Sequence, residues 1–231
     1  APDYFQSFGL GFYEYFLLCE DLGMEPLPTL FAGLNCQMRT HTCVPAGSQE
    51  FQQYVVQNYL DLIEFANGDP ASNRWAALRA QAGHPQPFGL KYIGIGNENF
   101  GADYLERFKV IKSAIDARYP GITCVLSAGV SLKGRDFDAA WALANASPAD
   151  IRVDEHCYSR PKWFIQGNTR YDDHPRAGAK VYMGEYAANF PMNVPLMSLK
   201  PNCYQTALAE AVFLAGLERN SDVVVMASYA P

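Results

Sequence analysis

The sequence predicts an α/β fold, a (β/α)8 TIM barrel of which about six of the eight strands are present. Apolar segments of strand length alternate along the chain with segments of helical periodicity. The strand segments are apolar on both faces, which is typical of a parallel sheet covered by helices. No glycine-rich phosphate loop follows the first strand, so a barrel is favoured over a doubly wound dinucleotide-binding sheet.

The predicted elements begin with a helix and end with a strand. The first helix has Phe12 and Phe16 near one face and stops at Gly23, and Ser48 is a suitable N-cap for the second. In chain order, the predicted helices are 8–22, 48–68, 75–82, 104–119, 137–145 and 202–218, and the predicted strands are 24–31, 90–96, 122–127, 151–158, 180–185 and 223–228. Six strands do not close an eight-stranded barrel, so we expect one catalytic barrel domain over 1–231, truncated at both ends.

Composition narrows the possible partners. The 231 residues are 49% hydrophobic and 13% aromatic, enough apolar mass for a sizeable core. The net charge of −6 argues against a nucleic-acid partner, which would need a basic stripe. The longest apolar run, 208–217, is interrupted by Glu210 and is too short to cross a membrane. The chain begins at Ala1 without an initiator methionine, so the lack of an export signal in this sequence gives no information on the cellular compartment.

The six cysteines form no CxxC pair. Cys36 and Cys43 flank a short loop and could form a disulfide. A metal held by these two with His41 is disfavoured, because the spacing fits no common zinc pattern.

Two predicted strands end in a glutamate. Strict alternation after Tyr92 puts Gly94, Gly96 and Glu98 on one face, where the two glycines would leave space below the acid. Glu185 likewise ends an apolar strand, 87 residues after Glu98. At about 30 residues per βα unit, this interval corresponds to three units, as between strands four and seven of a barrel.

Paired carboxylates at the mouth of a barrel suit glycoside hydrolysis. One must carry a proton to assist departure of the leaving group, and the other must be ionised to attack the anomeric carbon. The alternation also puts His156 and Tyr158 on one face of the fourth predicted strand, 151–158, with Asp154 below them and Glu155 on the opposite face.

The motifs together resemble those of the family 51 glycoside hydrolases, the α-L-arabinofuranosidases. The resemblance rests on Gly96-Asn97-Glu98-Asn99, Val153-Asp154-Glu155-His156-Cys157-Tyr158, Gly184-Glu185-Tyr186-Ala187, the run 217–224 and Ala227-Ser228-Tyr229-Ala230-Pro231. It extends over nearly the whole chain, including Phe8-Gly9 and Glu14.

The resemblance implies a role for each matching residue. Glu98 corresponds to the general acid/base, with a pKa expected to be raised by the neighbouring carboxylate, and Glu185 to the nucleophile. Asn97 corresponds to the asparagine that bonds the sugar 2-hydroxyl. His156 and Tyr158 correspond to residues lining the sugar subsite, and the tyrosine is expected to orient the nucleophile.

The remaining candidate, Trp163, lies in the predicted loop 159–164. It could stack on a sugar face or pack inward as a loop hydrophobe.

The function implied is exo-acting, retaining release of terminal α-L-arabinofuranosyl residues from arabinan or arabinoxylan, without metal or organic cofactor. A homo-oligomer is compatible with the family. Two alternatives stay open: another retaining glycosidase of the same clan, such as a β-glycanase, and an inactive carbohydrate-binding fragment.

Overall fold

The fold is built on one sheet of six parallel strands. A computed structural model of the chain describes residues 9–38, 43–189 and 203–230. The strands pair in the order in which they occur, from β1 at one edge to β6 at the other. They are β1 (Thr29–Leu30), β2 (Tyr92–Ile95), β3 (Thr123–Ser127), β4 (Ile151–Ser159), β5 (Lys180–Ala188) and β6 (Val224–Tyr229). Sequential parallel order with helical crossovers is the arrangement of a barrel wall, so the predicted fold class, an incomplete barrel of about six strands, is confirmed.

Helices connect the strands and cover the sheet. They are α1 (Phe12–Asp21), α2 (Gln57–Asn67), α3 (Arg74–Gln81), α4 (Gly101–Arg118), α5 (Arg135–Asn145), α6 (Pro161–Gln166) and α7 (Tyr204–Arg219). A π-helical segment, Phe51–Val56, leads into α2. Within the described ranges, no helix is both long and apolar enough to cross a bilayer.

The core lies between the sheet and these helices. Ile93 and Ile95 of β2, Val153 of β4 and Val181 of β5 are completely buried in it. Apolar side chains packed at this density hold neighbouring strands in register, so the ends of β2, β4 and β5 are fixed relative to one another.

Several predicted boundaries were wrong for identifiable reasons. The first strand is only Thr29–Leu30, since Pro26 and Pro28 have no N–H group for the ladder. The first helix begins at Phe12, and Phe8 lies outside the described residues. The segment predicted as a loop around Trp163 is α6, which begins with a proline at a favourable first position.

β2 ends one residue earlier than predicted, at Ile95, and the backbone that follows it determines where Glu98 lies. Gly96 has φ +74°, so alternation stops before Glu98. The space beside the two glycines is filled by neighbouring side chains: Thr29 packs against Gly94, and Asn99 against Gly96. The expectation of open space below Glu98 was therefore wrong.

We expect Gly96→Ala to destabilise the fold by about 2 kcal/mol, because a Cβ disfavours the left-handed backbone and would overlap Asn99 Oδ1. Chemical denaturation measures the loss. Gly47→Ala is the matched control, since its Cβ would have no atom within 4 Å, and its effect should stay within about 0.5 kcal/mol. Equal stabilities for the two variants would contradict the role given to Gly96.

Candidate active site

The candidate site lies at the carboxyl ends of β2, β4 and β5. Parallel strands place these ends on one rim, where barrel enzymes carry their reacting groups. Glu98 follows β2, His156 and Tyr158 are in β4, and Glu185 is in β5. His156 and Glu185 are direct register partners, next to an irregularity between Glu155 and His156.

Glu98, His156 and Glu185 form one cluster. The His156 Nδ1 atom lies 3.1 Å from Glu98 Oε1 and 3.5 Å from Glu185 Oε2. One ligand atom from each of the three residues lies within 4.8 Å of the other two. The carboxyl groups of retaining glycosidases are about 5–5.5 Å apart and those of inverting enzymes about 6.5–9.5 Å. At least one oxygen of Glu98 and one of Glu185 thus lie closer together than the range given for inverting enzymes.

Tyr158 bonds directly to the second carboxylate. Its hydroxyl donates a hydrogen bond of 2.6 Å to Glu185 Oε2. Partial burial and the bond to Glu185 raise the pKa of Tyr158, so the phenol keeps its proton. Glu185 remains partly open to solvent, with 32% of its side chain exposed, and a substrate can reach it.

Glu98 is held by the loop that follows β1. Gln37 Nε2 donates a hydrogen bond of 2.5 Å to Glu98 Oε2, and the Cys36 thiol donates one of 3.1 Å to the same oxygen. Asn97 Nδ2 lies 3.5 Å from the Cys36 sulfur. Cys36 is thus a thiol beside the acid, and the disulfide with Cys43 is not formed between these two described residues.

Strained backbone is concentrated at this contact. Within the described part of the chain, the non-glycine residues with positive φ are Gln37, Met38 and Glu98. Such conformations cost about 1–3 kcal/mol each and persist where surrounding contacts enforce them. The Gln37–Glu98 hydrogen bond joins two of these residues, and Asn99 Nδ2 ties the same turn to the Asn35 carbonyl.

The electrostatics differ from the sequence-based expectation. The hydrogen bond from His156 outweighs burial and, with Gln37 and Cys36, lowers the pKa of Glu98 to about 2. The expected rise in this pKa was wrong, because a cationic imidazole lies between the two carboxylates. Burial opposes the charge on His156, but hydrogen bonds to Asp154 and Glu98 raise the pKa of the ring to about 10. The proton of the site therefore resides on His156.

Asp154 supports the imidazole from below. Its Oδ2 atom lies 3.2 Å from His156 Nε2, and the residue is only 7% exposed. A Cβ at position 184 would overlap Asp154 Oδ1, so Gly184 is required for the carboxylate to lie there. Glu155 points to the opposite face, where burial raises its pKa and Tyr171 and Trp141 donate hydrogen bonds to it.

The cluster also has the composition of a three-donor metal site, with one nitrogen and two carboxylate ligands. Both His156 ring nitrogens already bond to carboxylates, and a doubly protonated ring has no lone pair for a metal. The arrangement favours a bound proton over a cation.

The predicted residues thus occupy one region, but at different distances from its centre. Glu98, His156, Tyr158 and Glu185 make direct contacts, and Asn97 touches the cluster through Cys36. Trp163 lies on α6, half-buried against Phe164 and Phe213, with an edge open beside Tyr158.

Sequence analysis missed Cys36 and Gln37 and did not assign Asp154 to the site. The signal for the first two was their position after the first strand, on the same rim as the other strand ends. For Asp154, the signal was alternation from His156, which already put it on the inner face.

We predict that Asp154→Asn lowers the pKa of His156 below about 10, because the ring loses one of the two carboxylates that hydrogen-bond to it and stabilise its charge. NMR titration of the four histidine rings measures this, with His156→Gln to assign the signal. Asp150→Asn, an exposed site just before β4, is the control and should leave the titration unchanged. An unaltered His156 titration in Asp154→Asn would disprove the role of Asp154.

Comparison with known proteins places these residues in a family. Residues 2–176 match the Alpha-L-arabinofuranosidase 1 domain, and residues 184–231 match the Alpha-L-arabinofuranosidase C-terminal domain. The chain is 44% identical over 230 residues to an extracellular exo-alpha-L-arabinofuranosidase of Streptomyces chartreusis, covering 99% of this chain and 26% of that protein. It is 37% identical to alpha-L-arabinofuranosidase 2 of Arabidopsis thaliana, covering 99% of this chain and 30% of that protein.

Solved structures agree on the fold. An arabinose-bound MgGH51 α-L-arabinofuranosidase superposes with a TM-score of 0.79 at 34% identity, over 99% of this chain and 35% of that one. An α-L-arabinofuranosidase from Thermotoga maritima, at 18% identity, shares the fold with a TM-score of 0.66, over 96% of this chain and 46% of that one.

The chain thus spans about a quarter to a third of the length of the curated relatives it matches. The match to residues 2–176 alone exceeds half of the chain, and it includes the strand ends that carry Glu98 and His156. The chain belongs to the α-L-arabinofuranosidases of glycoside hydrolase family 51.

Proposed function

We propose that this chain provides the catalytic centre of an exo-acting, retaining α-L-arabinofuranosidase that releases terminal arabinofuranosyl residues from arabinan or arabinoxylan. The observation that carries this proposal is the separation within 4.8 Å of the Glu98 and Glu185 ligand atoms, with His156 Nδ1 between the carboxylates. Two carboxylates at that separation suit double displacement.

In the first step, Glu185 is the nucleophile. Its carboxylate attacks the anomeric carbon and forms an ester while the glycosidic C–O bond breaks, and the bonding electron pair moves to the leaving oxygen. The Tyr158 hydroxyl, 2.6 Å from Glu185 Oε2, orients the carboxylate so that the other oxygen can attack.

Glu98 supplies the proton that the leaving oxygen needs. Since Glu98 is ionised before the reaction, this proton comes from His156, whose Nδ1 lies 3.1 Å from Glu98 Oε1. Transfer of the proton from the ring to the carboxylate makes both groups neutral. Transfer on to the leaving oxygen then leaves Glu98 as a carboxylate and His156 as a neutral imidazole.

The second step reverses these roles. Glu98, again a carboxylate, removes a proton from water, and the resulting hydroxide displaces Glu185 from the anomeric carbon. The proton returns to His156, and two inversions at the anomeric carbon give net retention of its configuration.

Two further residues are proposed to contact the substrate. Asn97, beside Cys36, bonds the sugar 2-hydroxyl, and Trp163 lines the entrance to the site.

The choice of substrate draws on the relatives. The Streptomyces chartreusis protein is named an extracellular exo-alpha-L-arabinofuranosidase, and the MgGH51 enzyme is described as arabinose-bound. On that basis we propose that the substrate of this chain is an arabinose-containing oligosaccharide or polysaccharide.

We also propose that residues 1–231 belong to one barrel domain. This proposal is supported by β5, which spans the start of the C-terminal match and pairs with both β4 and β6.

We expect Glu185→Ala to abolish release of arabinose from every substrate, because the variant lacks the carboxylate to which ester formation is assigned. The assay uses the protein encoded by the complete open reading frame that contains this chain. Glu106→Ala, an exposed glutamate on α4, is the matched control and should retain full activity. Persistent turnover in Glu185→Ala would show that another residue is the nucleophile.

Glu98→Ala should slow substrates with poor leaving groups by about 10²–10⁴-fold and activated aryl arabinofuranosides much less in the first step, because good leaving groups need little protonation. Steady-state kinetics on both substrate types measures the difference. Equal losses would argue against the acid role. Turnover of an aryl β-glucoside in place of the arabinofuranoside would instead favour a β-glycanase.

A further inference from the structure

Two open clefts flank Trp163 on the rim beside the active site. One, of about 450 Å³, lies between Tyr158, Trp163 and Asn189. The other, of about 410 Å³, reaches from His156 and Tyr158 to the loop after β3. Tyr158 borders both clefts and bonds Glu185, so whatever fills them lies next to the nucleophile.

Both clefts are positively charged. Arg160 and Lys162 line the first cleft and Lys133 lines the second; we call these three residues the rim cations. Neither lining contains an aspartate or a glutamate. This is unexpected in a chain whose 24 acidic residues outnumber its 18 lysines and arginines.

The rim cations are exposed, and the described part of the chain offers them no acidic partner. Among the described residues, no carboxylate lies within ion-pair distance of Lys133, Arg160 or Lys162, whereas most other arginines of the described chain are paired or hydrogen-bonded. Arg170, which also lines the second cleft, is already paired with Glu155.

The position of the clefts indicates what they contact. An exo-acting enzyme encloses the terminal sugar, so the rest of the polymer must lie over the rim. Trp163 offers an aromatic edge for a sugar ring at that point, held against Phe164 and Phe213. Lysine ammonium and arginine guanidinium groups beside it can bind carboxylates without displacing another partner.

We propose that the two clefts beside Trp163 bind the polymer part of an arabinosylated glycan that carries uronate carboxylates, and that Lys133, Arg160 and Lys162 recognise those carboxylates. This inference rests on the proposed function and narrows its substrate class from arabinose-bearing glycans in general to acidic ones.

The test compares an arabinosylated, uronate-bearing xylan with the same polymer after its carboxyl groups have been reduced to neutral alcohols. Reduction leaves the arabinose side chains in place, so the two polymers differ only in their carboxylates. At low salt we expect kcat/KM to be about five-fold higher for the acidic polymer, and the ratio to approach one at about 1 M salt, where the Debye length is about 3 Å.

Arg160→Gln/Lys162→Gln should lower that ratio about 2.5-fold at low salt, and Lys133→Gln about two-fold, so that the two effects together account for the five-fold preference and each lies in the range measured for exposed charge pairs. Arg74→Gln/Lys109→Gln removes the same charge from exposed positions on α3 and α4 and should leave the ratio unchanged. The exchange Arg160→Lys/Lys162→Arg keeps the charge and should keep the preference.

A wild-type ratio of one, or equal ratios in the rim and control variants, would overturn the proposal. An enzyme that fails to cleave an aryl arabinofuranoside would overturn the proposed function instead. In that case, calorimetric affinities for the acidic and reduced polymers still decide whether the clefts recognise carboxylates.

Discussion

The cation on His156 is the interaction on which the candidate site depends. Its ring bonds Glu98 and Asp154 and lies 3.5 Å from Glu185, so one positive charge holds three carboxylates in a small, partly buried volume. Without it, like charges this close would repel each other, and one carboxylate would take up a proton. The protonated imidazole allows Glu98 and Glu185 to lie this close together.

The fold brings these groups together by aligning strand ends. Six parallel strands in sequential order place the residues after β1, β2, β4 and β5 on one rim, although they are far apart in the sequence. Each segment adds a different contact: Gln37 bonds Glu98, Asp154 bonds the His156 imidazole, and Tyr158 bonds Glu185. The barrel wall is therefore the frame that converts separate motifs into one cluster.

Much of this arrangement could be predicted from periodicity. Alternation on a regular strand correctly put Asp154, His156 and Tyr158 on one face, because β4 stays extended through Ser159. The same rule failed at Glu98, since Gly96 turns the chain through a left-handed conformation that alternation does not anticipate. The contacts from Cys36 and Gln37 were not predictable either, because they depend on a loop conformation with positive φ that no local pattern encodes.

The direction in which the pKa of Glu98 shifts could not be predicted from the sequence either. Two acids facing each other suggest mutual repulsion, but the outcome depends on what lies between them, and only the register of β4 against β5 puts His156 there. A spacing of residues along the chain carries no information on such a third group.

The absence of a side chain at Gly184 links two positions on neighbouring strands. Because the Asp154 carboxylate occupies the volume that any Cβ at 184 would need, position 184 cannot gain a side chain while Asp154 keeps its place. Homologues with a larger residue at 184 should have lost the aspartate at 154 as well, and with it the counter-ion of the imidazole. Covariation between these two positions across the family would then mark the lineages in which the protonation of the site has been rearranged.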